Sequence, residues 1–574
     1  MTLATGSCRS RQTALEHVRQ HPDVSVLIVG GGINGAGTFR DLALQGVDVL
    51  LVDKGDFCSG ASAASSRMIH GGLRYLEFGE FRLVREAVRE RNLLLRNAPH
   101  YVHPLPTTIP VRYWFSGFVS CFKRFFGIGG YRPADRGAVL IKLGLTFYDV
   151  LTGKSRSMPR HRFTSRKKSL QRRPYLPRDI LCTATYYDAW VSHPERLCGE
   201  VIADGEACCE RGTALNYVSL QGASGGEVRL RDEVTGEVLT VRPRVVINAT
   251  GAWIDYANRS MGQETALIGG TKGGHLVVDS EELLKAFDGE MIYFENADGR
   301  TAVALPWLGK ALIGTTDIRI DDPDQARCGD DEVNYIFEAM SRVFPGIKIE
   351  RRQIVSRFSG VRPLPHSNAA TTGQISRDHH CIEIEPGGGI AFPVLSLVGG
   401  KWTTFRAFSE QVTDNVLDRL GRERRAATAT LAIGGGKGYP RNPSECGQWL
   451  ARAGEIAVVT DHRLETLLQR YGTTAEAVLA YTSGAADSAL RHHPGYTRRE
   501  IEYLIEHERV VHLDDLVLRR TTLALLGELT GPLAAELADI AAPILEWSDA
   551  EKQAELERTS RVLREKFGIR ISGT

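Results

Sequence analysis

Residues 24–46 read VSVLIVGGGINGAGTFRDLALQG, and their reading decides the fold. Val24 to Val29 form a short, nearly unbroken apolar run closed by glycines, the pattern of a strand buried on both faces. Gly30, Gly32 and Gly35 then supply G-x-G-x-x-G, and a helical stretch follows, with Gly46 placed to end it. A second strand, VDVLLVD, ends at Asp53. Strand, glycine turn, helix, strand and terminal acid make up the context that the dinucleotide fingerprint requires. The glycines let the backbone approach a pyrophosphate at a helix N-terminus. Asp53 is placed to accept ribose hydroxyls and disfavours a 2′-phosphate. A glycine-rich turn arising by chance would lack the flanking strands and the acid.

Two later segments return to this nucleotide fold. VVINATGAWID (245–255) runs from a buried strand into Thr250 and Gly251. VLSLVGGKWTTFRAF (394–408) runs from a strand through Gly399 and Gly400 into a helix start, with Thr403 or Thr404 as N-cap. A helix N-terminus reached through glycines can face an anion or developing negative charge. A reduced flavin ring carries such charge, and a nicotinamide domain has no need of this late return. The cofactor expected is FAD.

The bulk composition narrows the remaining classes. A chain of 574 residues exceeds a single compact domain, and 42% apolar content supports a sizeable core. A net charge of +2 excludes a whole-molecule nucleic-acid binder. The ten cysteines form no C-x-x-C pair and no metal cluster, which suits a reducing compartment. The N-terminus lacks the apolar core of a signal peptide, and no run of eighteen apolar residues announces a transmembrane helix.

HGGLRYLE (70–77) places Arg74 and Tyr75 directly after Gly71 and Gly72. Arg362 lies in FSGVRPLP, Arg377 in GQISRDHH, and Lys401 follows Gly399-Gly400. Any one of these cations alone reads as a solvated surface charge. Together, each beside a segment expected near the cofactor, they predict a cleft for an anionic carboxylate or phosphate substrate. His275, in TKGGHLVVD, opens a strand after another Gly-Gly and is either a structural histidine or the proton acceptor for a substrate hydroxyl.

With these motifs in hand, the chain resembles the FAD-dependent, membrane-associated respiratory glycerol-3-phosphate dehydrogenases. The stretches that carry the resemblance are IVGGGINGAG, ASSRMIHGGLRYLEFGEFRLVREA, VVINATGAW, KGGHLVV, LPWLGKALIGTTD, FSGVRPL, SRDHH, LSLVGGKWTTFR and EIEYLIEHERVVHLDDLVLRRT. They span about residues 24–525. The resemblance implies oxidation of sn-glycerol 3-phosphate to dihydroxyacetone phosphate, with hydride passing from C2 to flavin N5 and electrons to a membrane quinone. It implies substrate contacts at Arg74, Tyr75 and Arg377, catalytic roles for His275, Arg362 and Lys401, and FAD contacts at Gly30, Gly32, Gly35, Asp53, Ser65, Ser66, His70, Gly71, Thr250, Gly251, Gly399, Gly400 and Thr403. No metal is implied. Arg67 stands where lysine is more usual in the family. A peripheral seat on the cytoplasmic face of the inner membrane follows from the same resemblance.

The fold expected is α/β with α+β character. It comprises an N-terminal extension (1–23) and a Rossmann-like FAD domain of the glutathione-reductase or amino-acid-oxidase type over 24–430. An antiparallel-sheet substrate domain (about 100–190 and 262–355) is interleaved with it, and a helical domain covers 431–574. Residues 421–445 read as a linker, and the helical domain could serve packing, homodimer contacts or regulation. RYWFSGFVSCFKRFFGIGGYR (112–132) spaces Phe115, Phe118, Phe122 and Phe125 helically among cations; it reads either as a buried helix or as an amphipathic membrane segment. The basic run 160–174 reads as a solvated loop. An oxidase that delivers electrons to oxygen shares every motif above, and only the aromatic–basic stretch favours the quinone. A flavin-bound interaction protein without catalysis would have lost the cations and His275 first. An amino-acid oxidase would need one carboxylate-binding arginine, not four cations.

Overall fold

In the computed structural model, which describes residues 10–117, 136–152, 158–296, 298–367, 375 and 377–571, the strand Asp23–Val29 lies at the centre of a parallel array. It pairs with Val49–Val52 on one side and Val238–Asn248 on the other. Gly212–Leu215 extends the first side and Val394–Val398 the second, all in parallel register. His380–Ile384 closes the edge antiparallel. Side chains alternate between two buried faces. Val26, Ile28, Val49 and Leu51 pack with Ile33, Ala36 and Phe39 of the helix Ile33–Leu44. Leu27, Val29, Leu50 and Val52 pack against Ala14, Leu15 and Val18 of the helix Arg11–Gln20. Burial on both faces is why these strands are apolar throughout rather than alternating.

Gly30, Asp53, Thr250 and Gly399 all follow the carboxyl ends of four adjacent parallel strands. In an open sheet of this kind the ligand crevice lies outside those ends, where the chain leaves the central strand in opposite directions. The four segments singled out in the sequence therefore meet at one edge.

A second sheet of ten strands is antiparallel except where Met291–Glu295 runs parallel to Val102–Val111. Its strands include Cys182–Val191, Thr271–Val278, Lys310–Gly314 and Ile354–Arg362. The helices Pro443–Ile456, Asp461–Tyr471, Arg498–His507, Gly531–Ile544 and Asp549–Phe567 form the C-terminal part. Their apolar faces share one core with Leu105, Val277, Leu305, Trp307 and Leu312 of the second sheet. Ser548 and Glu551 cap the last helix reciprocally.

Two segments differ from the sequence reading. The basic run at 160–174 is not a solvated loop. Arg162–Ser165 is a strand and Arg166–Arg172 a helix, and buried Glu290 draws in Arg162 (3.1 Å), Arg172 (3.0 Å) and Arg173 (2.7 Å). The glycine-rich segment after Leu420 is not a free linker either. The N–H groups of Gly434 and Gly435 donate to Asp204 and Glu200, and Lys437 pairs with Asp204 at 2.6 Å.

Candidate active site

The crevice begins at the glycine turn. A side chain at Gly35 would place its Cβ 1.9 Å from the Gly30 carbonyl oxygen, so only glycine lets the helix start this close to the strand end. Gly30 itself has φ +111° and lies against the Ala249 carbonyl. Gly32 is the N-cap of Ile33–Leu44 and brings no side chain to this end, where Ser62 Oγ takes the Ile33 N–H at 3.0 Å; a helix N-terminus so bare suits an anion. Asp53 accepts the N–H of Gly31 at 2.7 Å and of Gly55 at 2.9 Å, and burial pushes its carboxyl up to about 6. The carboxylate keeps lone pairs for further donors.

The two late segments join this turn. Asn34 Nδ2 donates to the Gly399 carbonyl at 3.2 Å, and a Cβ on Gly400 would meet Asn34 at 2.4 Å. His70 N donates to Thr403 Oγ1 at 3.1 Å, tying the HGG loop to the same place. Thr404, not Thr403, is the N-cap of the helix Phe405–Leu420, and its buried hydroxyl has no partner. Asn34 Oδ1 and Lys401 Nζ are likewise buried without partners. Unpartnered polar atoms lining a crevice where glycines keep the backbone bare are what a large polar cofactor such as FAD would satisfy.

The substrate side is built on the turn Leu73–Phe78, which Gly72 opens at φ +76°. Lys401 Nζ lies 4.1 Å from the centre of the Tyr75 ring. The side chain of Arg74 lies outside the described atoms, although its backbone belongs to this turn. Gly71 N donates to Asp188 Oδ1 at 2.9 Å, and the same oxygen takes Tyr148 OH (2.8 Å) and Arg91 Nη1 (2.9 Å). Gly71 is thus fixed from beneath, and its N–H is used within the protein. Burial pushes the His70 imidazole down to about 4, with Asp188 opposing and Lys401, Arg377 and Arg91 reinforcing the shift.

His275 enters from the second sheet, on Thr271–Val278, and is 2% exposed. Its Nε2 lies 2.8 Å from Ser66 Oγ, and its ring stacks on Phe358 with centroids 5.2 Å apart. Its Nδ1 is buried without a partner. Burial first, then Arg362 and Arg67, pushes this imidazole down to about 3, so it is neutral across the ordinary pH range. Arg362, at the end of Ile354–Arg362, donates from Nη2 to Thr315 Oγ1 (2.8 Å) and from Nη1 to Asp317 (3.1 Å). Asp317 also pairs with Arg377 at 3.6 Å.

His275, Arg362, Arg377, Lys401, Tyr75, Ser66 and His70 therefore converge, joined by contacts or mutual electrostatic influence. Other sequence candidates face inward. Thr250 Oγ1 donates to Asn248 at 2.7 Å, and Ser65 Oγ accepts the Arg67 N–H at 3.2 Å, so at these positions the hydroxyls serve the protein. Gly251, at φ +64°, has open space where a Cβ would point. Arg67 is a structural residue, wholly buried, paired with Glu195 at 2.9 Å and stacked 4.2 Å over Trp307. The sequence reading missed Asn34, Asp188 and Asp317. Asn34 sits inside the glycine fingerprint and Asp317 ends the strand-following IGTTD, but Asp188 has no local signal at all. A neutral imidazole beside a hydroxyl, flanked by cations and facing a dinucleotide crevice, can accept a proton from an anionic alcohol.

The model described as FAD dependent oxidoreductase matches residues 25–390, and the model described as C-terminal domain of alpha-glycerophosphate oxidase matches 426–552. A glycerol-3-phosphate dehydrogenase of Synechocystis sp. is 35% identical over 535 residues, covering 88% of this chain and 90% of the relative. The aerobic glycerol-3-phosphate dehydrogenase of Bacillus subtilis is 30% identical over 530 residues, covering 89% of this chain and 90% of the relative. A crystal structure of glycerol-3-phosphate dehydrogenase from Bacillus halodurans complexed with FAD superposes with a TM-score of 0.75 at 22% identity, covering 97% of this chain and 98% of that one, and it supports the fold. With the crevice, the glycine turn and the neutral histidine in place, this chain belongs to the FAD-dependent glycerol-3-phosphate dehydrogenase family, and its cofactor is FAD.

Proposed function

We propose that this chain oxidises sn-glycerol 3-phosphate at C2 to dihydroxyacetone phosphate and passes the electrons to a membrane quinone. The observation that carries the reading is neutral, buried His275 beside Arg362, with Arg377 linked to Arg362 through Asp317 and with Arg377 and Lys401 both acting on His70. FAD, held at the turn of Gly30, Gly35, Asn34 and Gly400, would supply a two-electron acceptor for the hydride leaving C2. His275 accepts the proton of the C2 hydroxyl, and Ser66 holds the ring for that transfer. Arg362, close enough to depress the His275 imidazole, stabilises the oxygen as its proton leaves. Lys401 is a buried ammonium without a hydrogen-bond acceptor, an arrangement that costs free energy until an anion arrives. Arg377, Lys401 and Arg74 hold the phosphate dianion, and Tyr75 sets the floor beneath Lys401.

Replacing Arg377 with Ala is expected to raise KM for sn-glycerol 3-phosphate about 10- to 100-fold, the equivalent of one charged hydrogen bond lost. FAD content should not change. Steady-state kinetics on the FAD-loaded variant check this, and an unchanged KM removes Arg377 from the phosphate site.

The quinone reading draws on exposed apolar groups. Phe115 is 74% exposed and Trp114 55%. The helix Ala138–Thr152 buries Ile141, Leu145 and Tyr148 yet leaves Leu143 and Val150 exposed, with Phe147 partly covered by the Phe81 ring. Tyr148 on its inner side reaches Asp188 beneath Gly71, so the bare face lies one helix away from the HGG loop. The aromatics Phe118, Phe122, Phe125 and Phe126 of the membrane segment read from the sequence lie outside the described residues. Among the described residues no helix is long and apolar enough to cross a membrane. A peripheral seat on the cytoplasmic face is the proposed location.

A further inference from the structure

Asp317 touches two arginines of the site. Its Oδ1 accepts from Arg362 Nη1 at 3.1 Å, and its Oδ2 lies 3.6 Å from Arg377 Nη2. The carboxylate is firmly mounted. Its neighbour Thr316 accepts the Gly274 N–H at 2.8 Å and donates to Glu332 at 2.5 Å, and Glu332 also takes Lys272 at 2.7 Å. Gly274 precedes His275, so the segment bearing Asp317 is stitched to the strand that carries the histidine. Arg362 is held on a second side by Thr315 Oγ1 and the Thr316 carbonyl. Two guanidinium groups brought together without an acid between them would repel and splay.

We infer that Asp317 is a positioning residue whose two oxygens hold Arg362 and Arg377 side by side, so that both present their remaining N–H donors to one anionic ligand. The inference rests on the reading of this cleft as the seat of a phosphorylated substrate. Arg362 donates to Thr315, Thr316 and Asp317, which leaves part of its five-donor fork for the ligand. The pairing is consistent with the electrostatics: Asp317 opposes the lowering of Arg362 by burial and by Arg377.

A role in charge alone and a role in positioning give opposite signs. If Asp317 only offsets positive charge, its removal makes the cleft more cationic and tightens an anion. If it aligns the guanidinium pair, its removal loosens the anion although the net charge has become more favourable.

The test uses the oxidised, FAD-loaded enzyme titrated with inorganic phosphate and followed by flavin absorbance. Wild type, Asp317→Asn and Asp317→Glu are compared, with FAD content and thermal midpoint measured for each. The expected result is a phosphate Kd raised at least tenfold in Asp317→Asn, an intermediate Kd in Asp317→Glu, and unchanged FAD content. Equal or tighter phosphate binding by Asp317→Asn overturns the inference. Should Asp317→Asn fail to fold, Asp317→Glu decides alone, and a Kd equal to wild type overturns it. No phosphate response in wild type also overturns it. The titration needs no turnover, so an enzyme that binds phosphate yet is not reduced by sn-glycerol 3-phosphate would sink the proposed reaction while leaving the role of Asp317 to be read from the variants.

Discussion

Replacing His275 with Asn is expected to lower the rate of flavin reduction by about 10²- to 10⁴-fold while FAD stays bound, the usual consequence of removing a general base. The expectation rests on position and on charge state. The ring is fixed between Ser66 and Phe358, and burial with Arg362 and Arg67 keeps it neutral down to about pH 3. The free enzyme should therefore show no loss of kcat/KM near pH 6.5 from this residue. A bound dianion would raise its proton affinity and move it toward useful basicity. The same shift bears on stability. The unfolded imidazole protonates near pH 6.5 and the folded one near 3, so the unfolded state binds more protons between those values. This contribution to stability is present above about pH 6.5 and falls as pH drops through that window. Anaerobic rapid mixing measures the first effect. A decrease smaller than threefold would show that another group takes the proton.

Replacing Asp56 with Ala is expected to lower stability by about 3–5 kcal/mol, because it takes the carboxylate from buried Arg520 and leaves Arg519 to Asp514 and Asp515 alone. Asp56 is fully buried and pairs with Arg519 and Arg520 of the C-terminal part, and it also accepts Asn216 Nδ2 at 3.0 Å. These guanidinium groups hold its carboxyl below the usual range even though burial works the other way. Asp56 is also three residues beyond Asp53, in the loop where the Cys58 N–H donates to the Gly31 carbonyl at 3.0 Å. The tie therefore joins the C-terminal helices to the glycine turn of the cofactor crevice. Denaturant titration should show the lower midpoint, and a loss below 1 kcal/mol would mean that Asp514, Asp515 and the backbone acceptors suffice for the two arginines.

The parallel-strand ends were the legible part of the molecule. Val24–Val29, Val245–Asn248 and Val394–Val398 are apolar enough to declare burial on both faces, and each runs into a glycine or small residue that marks the crevice. His275, Arg362 and Lys401 stood out as candidates because glycines sit close to them in the chain. Side-chain partners were not legible. Arg67 stands among the cofactor candidates of SSRMIHGG, yet it is claimed by Glu195, 128 positions away. Likewise Arg162, Arg172 and Arg173 look solvated in a basic run until Glu290 arrives from another strand connection. Asp188 supports Gly71 from the neighbouring strand, with nothing near it in sequence to announce the contact. Local pattern encodes which backbone is buried, whereas long-range ion pairs depend on the tertiary arrangement that brings distant residues together.

The most direct test of the proposed reaction is anaerobic. The FAD-loaded enzyme is mixed with sn-glycerol 3-phosphate and its flavin absorbance followed, and a soluble quinone is then added. Bleaching by this substrate is expected, followed by return of the oxidised spectrum with the quinone. A flavin that stays oxidised, or that lactate or glycine bleaches equally well, would contradict it.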